Sequence, residues 1–182
     1  LNELAEEVKE KYPHVLLSTL AYMNTEPIPE GIKPHENLII TLCDTVSSYT
    51  SPLSTESKFV QLLEKWSEIS AKVKIWDYHS CFADYGLPMP FESTFQPDIQ
   101  LLKKNRVFGV MTEFHQPIFE DMRDLRFWLL AKLYENPFAD QNKLIIDFTD
   151  GFYGPAAIHI RKYLQALQKA AIAKPGNLTT TA

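Results

Sequence analysis

Val73-Lys74-Ile75-Trp76-Asp77-Tyr78-His79 is the stretch on which the reading of the chain turns. It is short, rich in β-branched and aromatic residues, and nearly uninterrupted in apolar character up to Asp77. That pattern predicts a strand buried on both faces, as in a parallel sheet covered by helices. Its last residues, Asp77, Tyr78 and His79, are polar. In a parallel α/β barrel the C-terminal strand ends carry the chemistry, because the loops there hold reactive groups on a rigid base. The stretch therefore predicts a strand whose C-terminal end belongs to a polar site.

Upstream, His14 to Tyr22 and Leu38 to Asp44 read as two further strands, joined by a proline-rich loop from Asn24 to Asn37. Leu1 to Tyr12 reads as a helix with Leu4, Ala5 and Val8 on one face, ended by Pro13. Glu56 to Ala71 reads as an amphipathic helix, with Phe59, Leu62, Leu63, Trp66 and Ile69 in one stripe and Ser54 or Thr55 as its cap. Downstream, a loop rich in aromatics and prolines leads to a helix over Pro97 to Asn105, with Asp98 at its positive N-terminal end. Val107 to Phe114 reads as the last strand. From Glu120 onward the pattern is helical. One helix covers Asp121 to Glu135, a second is capped by Asp140 and runs to about Asp150, and a third covers about Ala156 to Ala171 behind Pro155.

Strands alternating with helices predict a parallel sheet with right-handed crossovers. Four strands do not close a barrel with a packed interior, which takes about eight. The expected architecture is half of a TIM-type (β/α)8 barrel over residues 1–119, followed by a helical segment packed on it over residues 120–182. A small open doubly wound sheet is the rival arrangement. The half-barrel needs its other half or a second copy of itself, because its outer strands carry unpaired edges.

The chain has 182 residues, 45% hydrophobic and 23% charged, which is the composition of an ordinary globular domain. Its net charge of −5, with no basic block, argues against nucleic acid as the main partner. No apolar run reaches the length of a membrane span. No leader is visible in these residues, which begin at Leu1 without a methionine and read as a fragment or a processed product. Cys43 and Cys81 fall at the ends of neighbouring predicted strands. That placement is open to a disulfide and to two small buried hydrophobes, the commoner outcome. Neither has metal-site spacing with histidine, so no metal and no cofactor are expected. Asn177-Leu178-Thr179 fits a glycosylation sequon of a kind common by chance.

The stretch from Asp121 to Leu167 resembles the DUF4838 family. The segments that carry the resemblance are LRFWLLAKLYENPFAD, IIDFTDGFYGPAA and IRKYL. TLAY at residues 19–22, IWDY at 75–78 and GVMTEF at 109–114 fit the same pattern in order. The resemblance matches the second half of that family's catalytic domain. It implies a barrel related to α-glucuronidases and hexosaminidases that acts on or binds glycans, mostly in secreted or periplasmic proteins of bacteria.

Glycoside hydrolysis uses two carboxyl groups, roughly 5–5.5 Å apart for retention and 6.5–9.5 Å for inversion. The strand ends offer Asp44, Asp77 and Glu113. Glu113, near Met111 and Phe114, is the expected general acid, since an apolar surround favours the protonated form. Asp77 is the expected partner carboxylate or hydroxyl-positioning group; Asp44 and Asp77 also read simply as acceptors of backbone hydrogen bonds. Tyr22, Asp44, Trp76, Tyr78, His79 and Tyr85 are the candidate sugar-binding residues, although a histidine placed like His79 or His115 is more often structural. Trp66 and Trp128, on helix stripes, read as core. Asp121, Asp124 and Arg126 read as a solvated or capping helix start.

Overall fold

The computed structural model describes residues 1–44, 48–114 and 120–173. His115, the Asn177-Leu178-Thr179 triplet and the expected tail beyond residue 173 lie outside the described residues. The elements follow in the order α1 (Asn2–Lys11), β1 (Leu17–Ala21), β2 (Leu38–Cys43), α2 (Ser57–Ile69), β3 (Lys72–Tyr78), α3 (Glu92–Lys104), β4 (Gly109–Glu113), α4 (Arg123–Glu135), α5 (Gln141–Tyr153) and α6 (Ala157–Ala173). The strands form one sheet in the order β1-β2-β3-β4, and every neighbouring pair is parallel. The fold is α/β, with alternating strands and helices followed by C-terminal helices, and agrees with half of a (β/α)8 barrel.

Two compact units are built from interleaved stretches. Of the described residues, the first unit takes 1–44, 56–78 and 102–113, and the second takes 48–55, 79–101, 114 and 120–173.

In the first unit the strand register fixes two faces. Ala21, Leu42, Ile75 and Val110 are level with one another. Side chains alternate along a strand, so Ile40 and Val73 share that face. Leu42 and Ile75 are fully buried there, together with Ala5 of α1 and Phe59, Leu63 and Trp66 of α2. Each large aliphatic side chain taken out of water contributes about 1.5–3 kcal/mol. The other face carries Leu20, Lys72, Lys74, Trp76 and Tyr78, all at least partly exposed. β3 is therefore buried on one face, not both. Its two lysines sit on the open side, where their charges stay in water.

Several local expectations are also corrected. α3 begins at Glu92 and runs through Pro97. Asp98 is thus inside the helix, where its Oδ1 accepts from the backbone N–H of Leu53 at 2.7 Å instead of facing the helix N-terminus. The Gln96 side chain anchors the same helix by donating to the carbonyl of Pro137 at 3.2 Å. These tertiary hydrogen bonds hold a helix across a residue that removes one of its own. Neither Ser54 nor Thr55 caps α2; Glu56 stands at the cap position but its side chain does not cap the helix, and Thr55 Oγ1 donates to the carbonyl of Pro52 at 2.7 Å. Leu4 of α1 is exposed. α5 passes through Gly151 and stops at Gly154, whose φ of +52° a side chain would strain. Asp140 does cap α5, accepting from the backbone N–H of Lys143 at 3.1 Å.

Candidate functional site

Because all the strands run the same way, Tyr22, Asp44, the end of β3 and Glu113 gather at the C-terminal edge of the first unit's sheet. Glu113 is level with Tyr78, and Trp76 with Met111. Trp76 and Tyr78 are two residues apart and share the open face, so Glu113 lies on that face diagonally from Trp76. The Trp76 indole Nε1 donates to Glu113 Oε2 at 2.6 Å. The rings of Trp76 and Tyr78 stack with centroids 6.3 Å apart and planes 25° from parallel. The register thus holds one carboxylate beside two aromatic faces. Tyr22, partly exposed, is set by the short 3-10 turn that follows β1, where its backbone N–H donates to Thr25 Oγ1 at 3.1 Å.

Electrostatics tie these groups together. Burial pushes the Tyr78 phenol up to about 12, and the charges of Cys43, Glu113, Tyr22 and Asp44 push the same way. Tyr78 is a proton donor throughout the neutral range. Burial, then the Glu26 carboxylate, pushes the Cys43 thiol up to about 11, so it stays a neutral thiol and no nucleophile. Cys43 and Cys81 are both buried and both free, so the two form no disulfide.

The same register separates Asp77 from Glu113. Asp77 is level with Thr112 and one residue out of step with the Trp76–Tyr78 side. It turns to the opposite face of the sheet, so the two carboxylates do not flank a common space on the open side. Asp44 is buried, and its backbone N–H continues the β2–β3 ladder by donating to the carbonyl of Trp76 at 3.0 Å. His79 belongs to the second unit, where its buried ring packs edge-on against Phe95 at 4.9 Å and Phe91 at 5.9 Å. Tyr85, also in the second unit, is half-buried and meets Phe82 edge-on at 6.4 Å. Trp66 is core, as its stripe implies, and its Nε1 donates to the carbonyl of Glu26 at 2.9 Å. Trp128 is only half-buried, against Phe148.

The second unit holds a charged cluster in which Asp121 and Arg126, expected at a solvated or capping helix start, meet Glu92 and Glu120. Arg126 is 1% exposed. Its Nε donates to Glu92 Oε1 at 3.0 Å and one terminal nitrogen donates to the carbonyl of Met89 at 2.7 Å. Glu120 and Asp121 stand 3.9 and 3.6 Å from the guanidinium, which lies 4.5 Å over the ring of Phe91. Asp121 in turn accepts from the Tyr163 hydroxyl at 2.9 Å, and Glu120 from Ser80 at 3.0 Å. Burial pushes Glu120 above the ordinary carboxylic acid range, against the pull of Ser80 and Arg126. A signal for this was present in the sequence. Arg126, Leu129, Leu130 and Leu133 follow the i, i+3, i+4, i+7 spacing of a buried stripe, and all four are buried.

Four parallel strands in one sheet, with helices between and after them, define an α/β protein whose topology agrees with half of a barrel. The chain belongs to the DUF4838 family, described as a domain of unknown function, and the match covers residues 1–165. No curated protein and no solved structure matches it. Among the described residues, no helix is long and apolar enough to cross a membrane, and no group of three or more His, Cys, Asp or Glu is placed to hold a metal ion.

Proposed function

We propose that this chain is part of a glycoside-hydrolase-like barrel that binds a glycan along the rim of β1 to β4 and acts on its glycosidic bond. The observation that carries the reading is the 2.6 Å hydrogen bond from Trp76 to Glu113 on the open face of the sheet, beside Tyr78. In a barrel the face turned away from the helices is the interior, where a substrate would meet these groups at the strand ends. Glu113 would serve as the general acid toward the glycosidic oxygen. Trp76 would hold that carboxylate in place and offer its ring to a pyranose face. The Tyr78 phenol, held protonated, would donate to a sugar oxygen, with Tyr22 beside it and Asp44 behind.

Hydrolysis needs a second carboxylate, and Asp77 faces the wrong side to supply it. In this reading it comes from the other half of the barrel or from a second copy of the chain, and Asp77 supports the rim from behind. In this reading His79, buried against Phe91 and Phe95, is structural, and Tyr85 is a further candidate sugar contact. A secreted or periplasmic setting follows from the family resemblance alone. Among the described strand residues Glu113 is the one carboxylate on the open face, which also favours a second reading, in which the rim binds glycans without turnover.

One titration tests both readings. Oligosaccharides of uronic acids, N-acetylhexosamines and neutral hexoses are added while tryptophan fluorescence is followed. The expected response is lost in Trp76→Phe and kept in Trp128→Phe. Silence toward all three classes would remove the rim as a glycan site. Turnover of the responding glycan that falls about 10²–10⁴-fold in Glu113→Gln, with binding kept, supports catalysis. Binding with no turnover in the parent protein selects the second reading.

A further inference from the structure

In the second unit, the start of α3 together with α5 and α6 borders a hollow of about 450 Å³. Sites for small molecules fall at roughly 300–1,000 Å³. Four carboxamides line it, those of Gln141, Asn142, Gln165 and Gln168, with the hydroxyl of Ser93. Its apolar wall is aliphatic, made by Pro90, Ile145, Ile146 and Leu164, and no aromatic ring lines it among the described residues. Glu92 and Arg161 are the charged groups on its border, and both are committed elsewhere. Glu92 accepts from Arg126 at 3.0 Å. Arg161 donates to Thr149 Oγ1 at 2.7 Å and to Asp150.

We propose that this hollow binds a neutral polyhydroxylated ligand, a sugar without a charged group. Each carboxamide presents a donor and an acceptor side by side, which is what a hydroxyl requires. An acidic or basic ligand would give up hydration without meeting an uncommitted opposite charge. A nucleobase would find no ring to stack on. The aliphatic wall suits the C–H face of a pyranose. Gln141 adds a specific demand. Its Nε2 donates to the carbonyl of Glu92 at 2.7 Å, while its Oε1 is buried without a hydrogen-bond partner. A ligand hydroxyl, met by a small shift of this side chain, is the donor that oxygen lacks. No residue of the rim enters this argument, so the hollow and the rim stand or fall separately.

The test is an NMR titration of the ¹⁵N-labelled protein with methyl β-glucoside, N-acetylglucosamine and glucuronate. The side-chain amide signals of Asn142, Gln165 and Gln168 report on the hollow, and the Trp76 indole signal reports on the rim. The neutral sugars are expected to shift the amides, with glucuronate about tenfold weaker. Gln165 and Gln168 are exposed on α6, so Gln165→Ala with Gln168→Ala should keep the fold and lower the affinity for the neutral sugars about tenfold. Amides unmoved by both neutral sugars at about 50 mM would overturn the proposal. So would glucuronate binding as tightly as the neutral sugars, or a double variant that binds like the parent. Movement of the indole signal alone would support the rim and count against the hollow.

Discussion

Glu113 and Glu120 lie close in sequence and live in opposite surroundings. Glu113 is half-exposed in the first unit and is held by one indole N–H. Glu120 is buried in the second unit, with Ser80 on one oxygen and Arg126 within ion-pair distance. The first acid can meet a ligand at little cost to the fold. The second is fixed in its unit by hydrogen bonding, while burial disfavours its charged form more than its neighbours favour it. The contrast separates a carboxylate placed for chemistry from one placed for architecture, and it does so by surroundings rather than by residue type.

The sharpest way to break that contrast is to remove the hub of the buried cluster. Arg126→Met leaves Glu92, Glu120 and Asp121 without their cation, and should cost about 3–5 kcal/mol in urea unfolding followed by circular dichroism. A loss under 1 kcal/mol would mean that the cluster is not structural.

Glu120→Gln probes the same cluster through pH. The folded protein holds the proton of Glu120 more tightly than the unfolded chain does. Below the ordinary carboxylic acid pKa, near 4.5, both states are protonated and the residue is neutral in its effect. As pH rises from there through the higher folded-state value, the unfolded chain ionises first and folding loses stability. Glu120→Gln should therefore gain in stability relative to the parent as pH rises from 4 to 8. Thermal melts at the two pH values check the sign.

Arg106 offers a smaller effect in the first unit. Its N–H donates to the carbonyl of Lys103 at 3.0 Å, and that of Val107 to Leu102 at 3.1 Å, which is the double bond of a Schellman helix end. The left-handed residue of that motif is usually glycine, yet here it is Arg106, at φ +56°. Arg106→Gly should raise stability by roughly 0.5–1 kcal/mol in the same urea assay. Smallest of all, Glu113→Gln should move stability by no more than about 0.5 kcal/mol, since the replacement still accepts from Trp76. A large destabilisation there would erase the distinction between the two acids.

Strand number, order and direction were legible because apolar runs ending in polar residues alternate with amphipathic stretches. The cap at Asp140 and the stop at Asn136-Pro137 were legible from turn chemistry. Which side of the sheet a rim residue occupies was not, because it depends on how each strand is aligned with its neighbour. Slipping β4 by one residue would bring Glu113 to the side of Asp77, and nothing local to either strand forbids it. The start of α3 was hidden by Pro97, a residue that normally limits a helix, whose effect is offset by hydrogen bonds from distant parts of the chain. The Arg126 cluster was missed through charge, since an arginine reads as solvent-facing until its neighbours in the stripe are counted.

The sheet ends on two different strands, β1 on one flank and β4 on the other. Pairing of like flanks would be two-fold symmetric and stop at two copies, whereas a junction of β1 with β4 would be head to tail. Such growth either closes into a ring or continues as a filament, with the rotation per copy deciding which. A charge placed on one flank alone would block the head-to-tail junction and leave pairing of the other flank with its like open.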